Sequence, residues 1–379
     1  MIVEQRRWSR TSGWKTLADV ESAADAQLVL FFGSRAAIAS GSPLRALRAN
    51  YPWARLVGCS TAGEICGTEV FDDTIVSTAI RLEHSRLLTA CRPLHEASAS
   101  RAVGEQLARD LDPAGLVHVF VLAEGLRVNG SELVLGLRQG LPPNVAVTGG
   151  LAGAGEQFEH TVELYDDEHA NGAVVAIGFY GERLGIGYGS LGGWDPFGPD
   201  RLVTRAAGNV LDELDGKSAL ELYKSYLGPH ADELPASGLR FPLSLKGAQG
   251  ERRVVRTILG IDEVAGSLIV AGDIPEGRNA QLMKASVDRL IDGAHDAASE
   301  SRASLHRDSA TLAILISCVG RKLVLKQRVE EEVESVRDVF GPATMISGFY
   351  PYGEIAPGSA TAQCELHNQT MTITTVAER

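Results

Sequence analysis

The stretches GCSTAGEI at 58–65 and GFYPYGEI at 348–355 stand almost a chain length apart, and both close on Gly-Glu-Ile. The same order of patterns precedes each: an apolar run of strand length, an amphipathic stretch, and a second apolar run. In the first copy these are AQLVLFFG at 26–33, a helix whose Ser42-Pro43 start reads as an N-cap followed by Pro at N1, and ARLVGCSTAGE. In the last copy they are TLAILISCVGR at 311–321, a helix with Val329, Val333, Val336 and Phe340 on one stripe, and ATMISGFYPYGEI. A third copy lies between them, with LVHVFVLAEGLR at 116–127, a helix from about Ser131, and VAVTGGLAGAGEQ at 145–157.

Each first strand ends near an arginine (Arg35, Arg127, Arg321), and each second strand runs into a Gly-rich turn with a glutamate (Glu64, Glu156, Glu354), at separations of 29, 29 and 33 positions. A helix between strands at that separation suits a right-handed β-α-β crossover. The predicted fold class is α/β (mixed α+β), built from repeated β-α-β units in two domains whose β-sheet cores are flanked by helices.

If the paired strands are parallel neighbours, their loops emerge together at the carboxyl ends, where α/β sheets place ligands. Arginine offers a planar fork to a carboxylate and glutamate offers acceptors to an ammonium group, so an amino acid or similar small zwitterion or carboxylate is the expected ligand. The candidate ligand-binding residues are Arg35, Cys59, Ser60, Thr61, Glu64, Arg127, Gly149, Gly150, Cys318, Arg321, Tyr350, Tyr352 and Glu354. Glycines admit a ligand close to the backbone, and the hydroxyls, thiols and phenols supply a few polar groups among small and aromatic walls. The competing reading is that each arginine pairs with a neighbouring glutamate and braces the turn.

Elsewhere, HTVELY, GAVVAIGFYG and RLGIGYGSLGGW read as a β meander, 218–227 as a helix, and 279–301 as one long helix with Leu282, Met283, Val287, Leu290, Ile291 and Ala294 on its core face. At 379 residues the chain is long for one core, and the boundary is placed near Asp215-Gly216. With 36 basic and 48 acidic residues and a net charge of −12, no dense run of Lys and Arg suggests a nucleic-acid partner. MIVEQRRWSRTSGW lacks a signal-peptide core, and ATLAILISCV at 310–319 is half the length of a membrane helix, so a cytoplasmic protein without membrane insertion is expected. Five scattered cysteines, including Cys66, Cys91 and Cys364, form no C-x-x-C pair and read as free thiols, with no metal site expected.

The phrases VGCSTAGEI, TGGLAGAG, GWDPFGPDRLVTRAAGNVLDELDGKSALELYKSYLG, GDIPEG, SCVGRK, SGFYPYGEIAP and HNQT, in that order, resemble the signature phrases of the FIST family. The resemblance implies an N-terminal extension over 1–26, a FIST N-terminal domain over 27–215, a FIST C-terminal domain over 216–365, and a strand and tail over 366–379. It also implies a bacterial, non-enzymatic sensory module that binds small ligands in signal transduction. Such modules act through a separate partner such as a histidine kinase of a two-component system or a cyclic-di-GMP enzyme. Some members of the family are described as haem proteins that sense nitric oxide, so haem is the alternative to having no cofactor.

The weaker motifs are read against their contexts. G-x-G-x-x-G at 187–192 precedes GWDPFGP rather than a helix, so it lacks the setting of a dinucleotide fingerprint. A thiol-dependent enzyme using Cys59 or Cys318 is a second alternative, although buried inert thiols are commoner. Nine histidines offer axial haem ligands without singling one out, and His118 and His367 read as hydrogen-bonded structural residues. YDDEH at 165–169 reads as a solvated turn.

Overall fold

In this computed structural model, residues 1–17, 23–155, 160–166, 168–169, 172–246, 253–307, 309–358 and 364–379 are described. The first repeat is β1 (Leu28–Gly33), α1 (Ser42–Asn50), β2 (Arg55–Ser60), a short β3 (Glu64–Cys66) and a return strand β4 (Ile75–Arg81). The second is β5 (Leu116–Ala123), α2 (Gly130–Gly140), β6 (Ala146–Leu151), β7 (Glu163–Tyr165) and β8 (Ala173–Tyr180). The third is β9 (Leu312–Ser317), α3 (Val329–Phe340), β10 (Met345–Phe349), β11 (Gly353–Pro357) and β12 (Met371–Glu378). The mixed α/β architecture of repeated β-α-β units is thus the one the sequence pattern predicts.

In every repeat the two strands flanking the helix pair in parallel, β1 with β2, β5 with β6 and β9 with β10. The return strand then lies antiparallel on the far side of the first strand, β4 on β1, β8 on β5 and β12 on β9. The short strand leaves its own repeat. β3 pairs with β10, β7 with β2 and β11 with β6, all antiparallel, so each repeat passes one strand to the next around a closed cycle.

The three sheets share one interior. Leu28, Leu30 and Phe32 of β1, Phe120 and Leu122 of β5, and Leu312, Ile314 and Ile316 of β9 meet in a single apolar cluster, where Phe32 and Phe349 stack at 4.4 Å. The alternate residues face outward under helices: Val29 and Phe31 toward α1, Val119 and Val121 toward α2, and Ala313 and Leu315 toward α3. Both faces of each sheet are therefore buried, which is why these strands read as continuous apolar runs. Residues 195–284 form a fourth, antiparallel nine-stranded sheet with its own core around Leu211, Leu220, Leu243 and Leu268, covered by the helix Ala219–Leu227.

Two expectations are corrected. The segment read as one helix over 279–301 is a strand, Asn279–Lys284, followed by the helix Val287–Ser304. Ala280 and Leu282 face the fourth core while Gln281 points away, a period of two that sits beside the helical stripe in the sequence. The supposed meander is dispersed, with 163–165, 173–180 and 184–191 in three different sheets. Propensity identified the strands, but their partners come from the exchange between repeats. Among the described residues no helix is long and apolar enough to cross a membrane.

Candidate functional site

The second strand of every repeat carries a glycine (Gly58, Gly149, Gly348) at the same register position, one residue before Cys59, Gly150 and Phe349. A Cβ there would lie 2.1 Å from the Phe31 carbonyl oxygen, 1.9 Å from that of Val121 and 2.0 Å from that of Leu315. Glycine lets the parallel strands close up at their carboxyl ends, and the three turns meet. The Ala62 N–H donates to the Tyr350 carbonyl at 2.9 Å, the Gly153 N–H to Ser60 at 2.8 Å, and the Tyr352 N–H to Leu151 at 3.4 Å. This ring of backbone bonds is the point to which GCSTAGEI and GFYPYGEI both lead.

A fully buried glutamate stands at the start of each exchanged strand, first in β3 and β7 (Glu64, Glu163) and second in β11 (Glu354). Each accepts the backbone N–H of the residue just before its return strand, from Thr74 at 3.2 Å, Gly172 at 3.0 Å and Thr370 at 3.1 Å. Threonine hydroxyls add to this: Thr61 and Thr74 donate to Glu64 at 2.6 Å each, Thr161 to Glu163 at 2.7 Å and Thr370 to Glu354 at 2.8 Å. Burial outweighs these donors and pushes the carboxyls up, Glu64 to about 8, Glu163 to about 7 and Glu354 to about 8. The glutamates lock the exchanged strands to the return strands.

Several residues predicted to face a ligand are committed to the protein itself. Arg321 is fully buried, with Nη2 2.9 Å from Glu332 and Nη2 also donating to the Leu290 carbonyl at 2.8 Å. Glu332 further accepts from Tyr350 Oη and Ser317 Oγ, at 2.9 Å each. Arg321 and Tyr350 therefore belong to an internal network, and the bracing alternative holds for Arg321 with a partner, Glu332, that the matched spacings did not indicate. The hydroxyl of Ser60 accepts from the Val162 N–H at 2.9 Å. Cys59 lies in the central core, and its thiol is pushed well up by burial and by Glu163; Cys318 is pushed up by burial and by neighbouring Glu354. Both thiols are held in their unreactive protonated form. Gly150 abuts Ile316, and Arg35 is exposed at the first position of the short helix Arg35–Ala39.

Arg127 and Tyr352 are brought together. Both line a cleft of about 550 Å³ that also takes in Leu126, Leu151, Asn129, Asn368 and Asp273 and is closed on one side by the fourth sheet at Asn209 and Val270–Gly272. Its charged turn is built by Glu124, which is buried and whose Oε2 accepts the N–H groups of Leu126 at 2.9 Å, of Arg127, and of Val128 at 3.2 Å. The guanidinium of Arg127 stays at the exposed rim, 3.7 Å from Glu124. Tyr352 Oη donates to the Gly155 carbonyl at 3.1 Å.

Glu156, matched to Arg127 by spacing, lies outside the described residues, and Glu163 occupies the equivalent position. The sequence signal for Glu163 is VEL just before a Gly-bounded strand. Lys322, whose Nζ donates to the Ala62 carbonyl at 2.9 Å, and Asn368 and Asp273, within HNQT and GDIPEG, were also missed as individual residues. His118 is hydrogen-bonded to Thr148 at 2.8 Å and pushed down to about 3 by burial, and His367 bonds the Ala356 carbonyl at 3.0 Å. Among the described residues no group of three or more His, Cys, Asp or Glu is arranged to hold a metal ion.

The FIST N domain matches residues 27–217 and the FIST C domain residues 219–357. The chain belongs to the FIST family. FIST domains are sensory domains that bind small ligands in signalling proteins. The chain is 22% identical over 323 residues to an uncharacterized protein of Methanocaldococcus jannaschii, covering 78% of this chain and 60% of that relative. It thus spans about 60% of the length of the curated relative it matches. Among solved structures, a cyanuric acid hydrolase aligns over 100% of this FIST chain and 99% of its own, at 10% identity and a TM-score of 0.35. The cyanuric acid hydrolase of A. caulinodans aligns over 78% of this chain and 99% of its own, at 12% identity and a TM-score of 0.19. The expectation of a non-enzymatic chain is corrected by these neighbours, which are themselves enzymes. A likeness of this size assigns no activity to the FIST chain.

Proposed function

We propose that this FIST protein senses an amino acid or a similar small zwitterion or carboxylate, bound in the cleft between the turns of the second and third repeats and the fourth sheet. The observation that carries this reading is the convergence of Arg127 and Tyr352, from two repeats, on one cleft of about 550 Å³ whose remaining wall is a separate sheet. That volume is within the range of small-molecule sites, and the mix of Leu126, Leu151 and Leu366 with a few polar groups is the usual lining. The guanidinium of Arg127 would receive the carboxylate, and the acceptor oxygens of Asn368 and Asp273 suit an ammonium group.

A ligand held between the repeats and the fourth sheet draws two bodies of the fold together, and that rearrangement is what a histidine kinase or a cyclic-di-GMP enzyme would read as output. A thermal-shift screen of the twenty amino acids and small carboxylates tests the proposal. A ligand at a hundred times its dissociation constant stabilises the fold by about 2.7 kcal/mol. Arg127→Gln should weaken the best hit about tenfold or more, since a charge-assisted bond contributes roughly 1.5–3 kcal/mol, without lowering the melting temperature of the unliganded protein. A flat screen, or a hit indifferent to Arg127→Gln and Tyr352→Phe, overturns it.

A further inference from the structure

A second cavity, of about 320 Å³, lies on the other side of a wall formed by Asp273 and Leu366, between α2, the strands Leu243–Leu245 and Val254–Arg256, and the strand Cys364–His367. Four cationic side chains line it: Arg138, Lys246, Arg256 and Arg278. The carboxylates in its wall are Asp273 and Glu365. Asp273 is already engaged, accepting from Asn129 Nδ2 at 3.1 Å.

Arg256 is the informative member. It is 7% exposed, and its guanidinium bonds only carbonyl oxygens, from Nε to Asp273 at 3.0 Å and from Nη1 to Leu366 at 3.0 Å and Val255 at 3.3 Å. Carbonyls satisfy its N–H groups without supplying charge; Glu365 and Asp273 in the wall offset its charge only in part, since burial still pushes the guanidinium down to about 10. The contrast is with Arg321, a fully buried arginine that holds Glu332 at 2.9 Å. Arg138 donates to the Cys364 carbonyl at 3.5 Å, and Lys246 is exposed. In a chain with 48 acidic residues against 36 basic ones, four cations against two carboxylates around one cavity mark a place kept for negative charge from outside.

We propose that this cavity is a second binding site, for a small organic anion, a phosphate or carboxylate on an apolar body, with the anionic group on Arg256, Arg138 and Lys246. The guanidinium forks suit both kinds of anion, and Val134, Leu245 and Val254 supply the apolar wall. The site is separate from the amino-acid cleft, although the two share a wall, and it stands whether or not that cleft binds an amino acid. Arg256 also ties the fourth sheet to the strand Cys364–His367 through Leu366, so its replacement would confound folding with binding. Arg138 meets that strand through one long bond, at 3.5 Å to the Cys364 carbonyl, and Lys246 is exposed, so both can be replaced at smaller cost to the fold.

Calorimetric titration of the full chain with phenyl phosphate and benzoate, at low and physiological ionic strength, tests the proposal, with phenol as the neutral control. Saturable one-to-one binding of either anion, weakened about tenfold by Arg138→Gln or Lys246→Gln, further by the double variant, and absent for phenol, is the expected result. Whichever anion binds more tightly identifies the anionic group. Arg127→Gln should leave this titration unchanged, which separates the site from the cleft. No binding by the parent protein up to millimolar anion, or affinity unchanged in the folded double variant, overturns it.

Discussion

Glu64, Glu163 and Glu354 are acids placed where ionisation is unfavourable, and that has a consequence for stability. Their folded-state pKa values lie above the ordinary carboxylate value of 4.5, at about 8, 7 and 8, because burial disfavours the charged form. A carboxyl whose pKa is raised on folding contributes stability that is fully present below its unfolded value and is lost as pH rises through the folded one. The window here runs from pH 4.5 to about 8. A tenfold change in a proton-binding constant is worth about 1.4 kcal/mol, so these groups together make the fold weaker at pH 9 than at pH 5 by several kcal/mol, a change of some degrees in melting temperature. Glu64→Gln and Glu354→Gln keep the shape and remove the titration. Melting temperatures measured across that range should fall less steeply in either variant than in the parent, and a parent whose melting temperature rises through the window contradicts the assignment. The glutamates at 64 and 354 were legible as repeated positions, yet their task was not. A glutamate beside a glycine in a turn looks the same in sequence whether it meets a ligand or the N–H of Thr74, because the donor lies on a strand whose partner only the fold selects.

At the scale of the element, the β-α-β unit depends on the glycine that lets its two strands touch. Alanine at 58 or 348 would place a Cβ within 2.1 or 2.0 Å of a carbonyl oxygen, and backbone cannot move aside as a side chain can. Gly58→Ala and Gly348→Ala should each cost about 1–3 kcal/mol or more, measured by urea unfolding. Gly260→Ala, where the nearest atom is 3.6 Å away, should be close to neutral. Equal effects at all three sites would mean that the close approach carries no stability. These units were the most legible part of the chain, since β1, β5 and β9 are apolar on both faces and their helices carry one apolar stripe. The strand at 279–284 was misread because Leu282 and Met283 extend the helical stripe of Val287, Leu290 and Ile291 backward, and nothing local reveals that Leu243 and Leu245 pair with that segment. Arg321 shows the same limit in the site: its position just beyond a strand end was readable, whereas its partner Glu332 lies in the first turn of α3 and enters only through packing.

For the whole molecule, the exchange of short strands makes the three repeats one closed object. β3 from the first repeat is an antiparallel partner of β10 in the third, and β11 from the third is a partner of β6 in the second. The central cluster likewise draws Phe32, Phe120 and Phe349 from the three sheets into one core. A cut between the regions matched by the FIST N and FIST C domains would therefore strip β6 and β10 of neighbours and open the shared core to water. Burial of apolar surface contributes about 25 cal/mol per Å², so exposing one face of three sheets outweighs the few kcal/mol by which domains are usually stable. The full chain should melt in one calorimetric transition whose van't Hoff and calorimetric enthalpies agree, despite a length at which separate domains are common. Fragments 1–215 and 216–379, produced singly, should lack a cooperative melt, and should recover one when co-expressed, because β3 and β11 can then find their partners. A fragment 1–215 that melts cooperatively alone would show that the first two repeats close without the third, and the cyclic exchange would then be an ornament on an independent domain rather than the reason the fold holds.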